Sequence, residues 1–154
     1  MGLISAGLSY FVFCGLHILQ FALAITVCAL YGIDLSRANK HGVYSDSKWV
    51  YAEVVGGLSA FTAILLLVPF IVRFWLVWAW NLVLFILWIA LFGVFGKMYI
   101  NEDAEGDSGV QRMKNAVWVD LTNALLWFIT FIGHAAYWFT HRERHSRFTG
   151  RARV

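Results

Sequence analysis

The sequence predicts an all-α integral membrane protein, an antiparallel bundle of four transmembrane helices. Three observations predict it. The 154 residues are 60% hydrophobic and only 14% charged, with a mean hydropathy of +0.68. An ordinary soluble domain is about half apolar and a quarter charged, so the surplus apolar surface belongs in lipid. The apolar residues also gather into four continuous stretches, each near the roughly 20 residues a helix needs to cross the hydrocarbon core. A single proline beside 13 glycines suits long helices. The alternation a barrel strand would need is missing, and closed barrels are the only other spanning solution. This composition excludes a soluble enzyme, a disordered tail and a disulfide-stapled secreted domain.

The spans are expected at about 8–31, 49–72, 74–95 and 116–139. Each covers roughly 33–36 Å at the helical rise, enough to cross with some tilt. The first is read as retained. It has no basic segment before it, is longer than a signal-peptide core, and carries His17 and Gln20. Aromatic residues mark the boundaries. Tyr31, Trp49, Tyr51, Tyr99 and Trp118 fall at ends sharing one face, and Trp75, Trp78 and Trp138 at ends sharing the other. Their rings favour the headgroup level, being apolar in body and polar at the tip.

Between the spans, 32–48 reads as a polar loop and 101–109, an acidic and glycine-containing stretch, as a solvated turn. The acidic stretch lacks the ligand spacing of a calcium loop. Four spans put both termini and the 73–74 turn on one side. Each side then holds six of the 12 Lys and Arg residues. Density breaks the tie: Arg142, Arg144, Arg147, Arg151 and Arg153 crowd the tail, 141–154. Basic residues close to a span favour the cytosolic side, so N and C termini are expected there, in the plasma membrane or an endomembrane. The same arginines are candidates for contact with anionic inner-leaflet lipids, at about 1 kcal/mol each.

Polar residues inside the spans carry what functional signal there is. Glu53 and Asp120 are the only acids there, and intramembrane acids are functional candidates because they are expensive in lipid. Each follows closely on the start of its helix, where the dipole favours an anion, with Lys48, Arg112 and Lys114 near enough to pair. A paired, bundle-facing role is favoured over proton handling. In the fourth span Asp120, Asn123, Trp127, Thr130, His134 and Tyr137 recur at spacings of three and four, drawing one polar face that should turn inward. The second span offers Gly56, Gly57 and Ala60, small residues that let backbones approach closely. Asn81 reads as interhelical glue.

His17 with Gln20, and His134, are expected to approach one another. Two histidines without further ligands make no metal site, and the sequence suggests no cofactor. Cys14 and Cys28 both lie in the first span and read as packing residues. No nucleophile elbow, phosphate loop or redox pair appears, which argues against an enzyme.

The span pattern, the acid early in the second span, the segment Trp118-Val-Asp120-Leu-Thr-Asn123-Ala-Leu-Leu-Trp127 and the closing Thr149-Gly150-Arg151-Ala152 resemble fungal MARVEL-domain membrane proteins over nearly the whole chain. Claudin-like proteins match less well, since a paired cysteine motif and a long first extracellular loop are missing. The MARVEL resemblance implies an M-shaped topology with cytosolic termini. It also implies roles in membrane apposition, vesicle traffic and sterol- or sphingolipid-rich domains, including eisosome-associated compartments, with Glu53, Asp120 and Asn123 as functional positions and no catalytic residues. The expectation is a non-enzymatic organiser of lipids or membrane-protein partners, including copies of itself, with no nucleic-acid partner. The competing classes are a small oligomeric proton or solute transporter, using Glu53, Asp120, His17 and His134, and an accessory subunit of a larger complex.

Overall fold

The computed structural model describes residues 2–42, 46–68 and 76–146, with side chains over 10–42, 46–68 and 76–140. The described residues form four helices, α1 (Gly2–Lys40), α2 (Ser47–Leu66), α3 (Leu76–Tyr99) and α4 (Ser108–Ser146). All four are long and apolar enough to cross a membrane, over Tyr10–Lys40, Ser47–Leu66, Leu76–Tyr99 and Ser108–Thr140. The expected end of the second span, the start of the third, Arg73 and Trp75 lie outside the described residues, as do Arg147, Arg151 and Arg153 of the tail. Arg142 and Arg144 continue the backbone of α4.

α1 and α4 run well past the apolar stretches that announced them. The polar segment read as a loop from 32 is helical to Lys40, and α4 begins at Ser108, eight residues before 116. Hydropathy marks where lipid begins, whereas a helix stops only at a breaker. For α1 that breaker is Gly42, at φ +63°, whose N–H reaches Asn39 O at 3.2 Å. Glycine takes this left-handed geometry without the Cβ penalty. Arg37 and Lys40 in the last turn suit the negative end of the helix dipole. The two extensions hold each other: Arg112 of α4 donates to Asp34 of α1, and Arg37 approaches the same carboxylate at 3.9 Å.

Asp46 caps α2, its side chain accepting from Lys48 N at 3.3 Å. That backbone N–H holds the Asp46 carboxyl below its ordinary pKa, with the Lys48 side chain adding to the effect. Asp107 stands before the first turn of α4 and accepts from Gly109 N at 2.6 Å. The acidic turn before it reverses through Glu105 (φ 39°) and Gly106 (φ 90°).

α1 packs along α2 and α3 along α4, α1 also meets α4, and α2 meets α3 over a smaller interface. A cavity of about 330 Å³ lined by Phe61, Leu65, Leu66, Leu76, Val77 and Trp80 separates those last two helices. The centre is aromatic and aliphatic: Trp88, Trp127, Tyr31, Phe95, Leu84 and Leu91 are completely buried. Trp88 satisfies its indole N–H on Ser59 Oγ at 2.8 Å, tying α3 to α2. Tyr51 donates to Leu87 O at 3.0 Å across the same pair. Outward positions are apolar, with Phe11, Ile18, Val54, Phe61, Ile86, Leu125, Ile129 and Ile132 all exposed.

Candidate functional site

Most of the buried polar residues of the spans converge on one seam between α1 and α4, with α3 contributing at one end. Asp120, Asn123, Trp127, Thr130 and His134 are each 3% exposed or less, so the spacing of three and four does draw an inward face. Tyr137, expected on the same face, is 42% exposed, where the helix passes its last buried turn.

At one end of the seam, Tyr31 Oη donates to Asp120 Oδ2 at 2.7 Å. Tyr31 thus turns into the bundle and bonds the acid. The ring lies inside the bundle, tilted at 45° with its centroid 4.4 Å from that of Phe95, and its hydroxyl is spent on the acid. Expected cationic partners for the acids are engaged elsewhere: Arg112 with Asp34, Lys48 with Asp46 at 3.3 Å, and Lys114 with Glu102 O at 2.9 Å. These basic side chains find acceptors at the polar edge, where they remain partly hydrated, rather than reaching inward to a desolvated carboxyl.

At the other end, His17 and His134 stack with ring centroids 5.9 Å apart. A directed chain fixes His17: its Nδ1–H faces Gln20 Oε1 at 2.7 Å, Gln20 Nε2 donates to Thr130 Oγ1 at 3.2 Å, and Thr130 Oγ1 donates to Leu126 O at 3.1 Å. With the proton on Nδ1, the Nε2 lone pair of His17 is left available. His134 is held differently. Its Nδ1 lies 2.8 Å from Thr130 O, which calls for a proton there, and 3.0 Å from Asn81 Nδ2. A proton on Nδ1 directed to Thr130 O leaves the Nε2 lone pair of His134 available, as in His17.

Seven buried polar atoms along this seam have no hydrogen-bond partner: His17 Nε2, Asn81 Oδ1, Asp120 Oδ1, Asn123 Oδ1 and Nδ2, Trp127 Nε1 and His134 Nε2. Each such group costs about 1–3 kcal/mol where it is left unmade. Interhelical glue alone does not account for that concentration, because glue works by pairing.

Glu53 belongs to a different interface. It faces α1 from α2, its Oε1 buried without a partner and 3.1 Å from where a Cβ on Gly32 would stand. The acids of the second and fourth candidate spans thus flank α1 at one level, Asp120 at Tyr31 and Glu53 at Gly32. The small-residue surface resolves into unequal halves. Gly56 and Ala60 are buried, and a Cβ on Gly56 would stand 2.5 Å from Cys28 Sγ and 3.3 Å from Ala24 O. Gly57 has nothing within 4 Å and faces outward. Sequence reasoning missed Tyr31, Asp34 and Ser59 as partners. Only Tyr31 offered a cue, as a hydroxyl at the register of an acid.

Among the described residues, no three His, Cys, Asp or Glu side chains stand together to hold a metal ion. No family model matches the chain, and neither a curated protein nor a solved structure matches it.

Proposed function

We propose that the four helices insert into a bilayer as an antiparallel bundle with cytosolic termini, and that the protein is a non-enzymatic organiser of its membrane, MARVEL-like in kind. The contacts between α1 and α4 support the antiparallel arrangement. His17 meets His134, Gln20 meets Thr130, Tyr31 meets Asp120 and Asp34 meets Arg112, so one number rises as the other falls. The observation that carries the functional reading is the division of the surface. Polar side chains of α1 and α4 turn into the seam, while the outward positions are large and apolar. What such a protein offers its surroundings is a hydrocarbon-matched wall with a basic tail at its edge. It acts by which lipids and proteins settle against that wall, sterol and sphingolipid among them, with anionic lipids drawn to Arg142, Arg144, Arg147, Arg151 and Arg153.

The test is reconstitution of the labelled full chain into giant vesicles with coexisting sterol-rich and sterol-poor phases, with a mild-detergent pull-down and lipid identification alongside. The expected result is clustering in the sterol-rich phase with sterol or sphingolipid enriched over the bulk. Uniform distribution without lipid enrichment contradicts the reading, and stoichiometric recovery of another membrane protein makes the chain a subunit of that complex instead.

A further inference from the structure

We propose that the seam between α1 and α4 is a proton relay, with Asp120 taking up and releasing the proton at one end and the His17–His134 pair at the other. It is an activity beyond lateral organisation and rests only on the proposed insertion. The groups lie in order along α4: Asp120, Asn123, Trp127, Thr130 and His134 span about 21 Å at the helical rise, most of a hydrocarbon core about 30 Å thick. Two turns beyond Asp120, the Asp34–Arg112 pair continues the line to the polar edge, where the carboxylate side chain is 24% exposed.

Each terminal group has the spare valence that a relay needs. Asp120 accepts from Tyr31 on one oxygen, and its other oxygen is buried and unpartnered. It can therefore take a proton there without breaking the contact that positions it. An imidazole with its Nδ1 proton held can take up and give back a proton at the open Nε2. His17 keeps its Nδ1 proton on Gln20 and leaves Nε2 open, and the Nε2 of His134 is likewise buried without a partner. Between the ends, Asn123 and the Trp127 N–H cannot titrate. Their three unpartnered polar atoms together supply the two to four partners that one buried water molecule takes. Water is the only co-reactant: a proton passes from it to Asp120 and from an imidazole back to it, with no heavy-atom bond made or broken. The titratable groups facing the relay are Tyr31 from α1, with Tyr99 of α3 near it, and the two histidines facing each other. α3 adds the neutral Asn81 at the histidine end.

The experiment is proton uptake by phosphatidylcholine vesicles carrying the full chain. A valinomycin-set potassium potential drives it, a trapped pH dye reads it, and flotation with alkaline extraction checks insertion. Wild type should acidify the lumen well above empty vesicles, and Asp120→Asn should fall to the empty-vesicle rate. Should Asp120→Asn fail to fold, His17→Gln carries the same expectation, since glutamine fills the site without passing a proton. Inserted wild-type protein no faster than empty vesicles overturns the relay and leaves lateral organisation standing. Full flux in a folded Asp120→Asn or His17→Gln variant also overturns it. Failure to insert overturns both.

Discussion

Gly56→Ala should destabilise the bundle even though alanine is the better helix former. A Cβ at this position would lie 2.5 Å from Cys28 Sγ and 3.3 Å from the carbonyl oxygen of Ala24. Neither yields freely, one being the tip of a short side chain and the other backbone. Overfilling such a contact costs about 1–3 kcal/mol. Helix propensity returns about 1 kcal/mol, leaving a net loss of up to about 2 kcal/mol. Gly57→Ala is the internal control. It gains the same propensity with nothing within 4 Å to meet, so it should be neutral or stabilised by up to about 1 kcal/mol. Cys28→Ala removes the nearer obstacle, and in that background Gly56→Ala should lose less than about 1 kcal/mol, a coupling in the range expected of residues in contact. Unfolding the full chain by SDS titration in mixed micelles, followed by tryptophan fluorescence, measures all four variants. Equal stability of Gly56→Ala and Gly57→Ala would refute the close approach of α1 and α2, as would a loss undiminished by Cys28→Ala.

The same titration reads further contacts. Tyr31→Phe leaves both Asp120 oxygens without a partner and should cost about 1–3 kcal/mol. Ser59→Ala strands the Trp88 indole N–H and should cost a similar amount, about 1–3 kcal/mol, whereas Thr122→Ala, where the exposed hydroxyl bonds only Trp118 O in its own helix, should change stability by less than about 0.5 kcal/mol. The Asp46 cap sets a pH dependence. Its carboxyl titrates lower in the folded protein, so its stabilisation is fully present above the ordinary value of 3.8 and is lost as pH falls through the folded value. Acid unfolding of α2 followed by circular dichroism should lose that pH-dependent component in Asp46→Ala. Neutralising the five tail arginines should lower enrichment of anionic lipid around the reconstituted protein, read by lipid co-purification.

Much of this architecture is written in local pattern. Four apolar stretches mark four helices, and the three-and-four spacing from Asp120 to His134 marks the face of α4 that is buried. The rest depends on where helices cross. Gly56 and Gly57 are adjacent and chemically identical, yet one meets Cys28 and the other meets nothing, because a turn of about 100° per residue separates inside from outside. Tyr31 reads as an interfacial aromatic, and only the fold shows its ring turned into the bundle. Its partner Asp120 is 89 positions away. Arg112 stands eight positions from Asp120, yet it bonds Asp34, 78 positions distant. Hydropathy measures what faces lipid, so the polar turns of α1 after Tyr31 and of α4 before Ala116 were read as loop.

Both the organiser and the relay depend on one division: hydrocarbon-facing residues outside and the polar seam inside a bilayer-embedded bundle. A nitroxide scan along α4 in lipid vesicles, comparing accessibility to oxygen with accessibility to a water-soluble nickel chelate, measures that division directly. Labels at Leu125, Ile129 and Ile132 should show high oxygen and low nickel accessibility. Labels at Asn123, Thr130 and His134 should be shielded from oxygen, giving a helical period with its minimum on the seam. High oxygen accessibility at Asn123 and Thr130, or nickel accessibility at Leu125 and Ile129, would contradict the account.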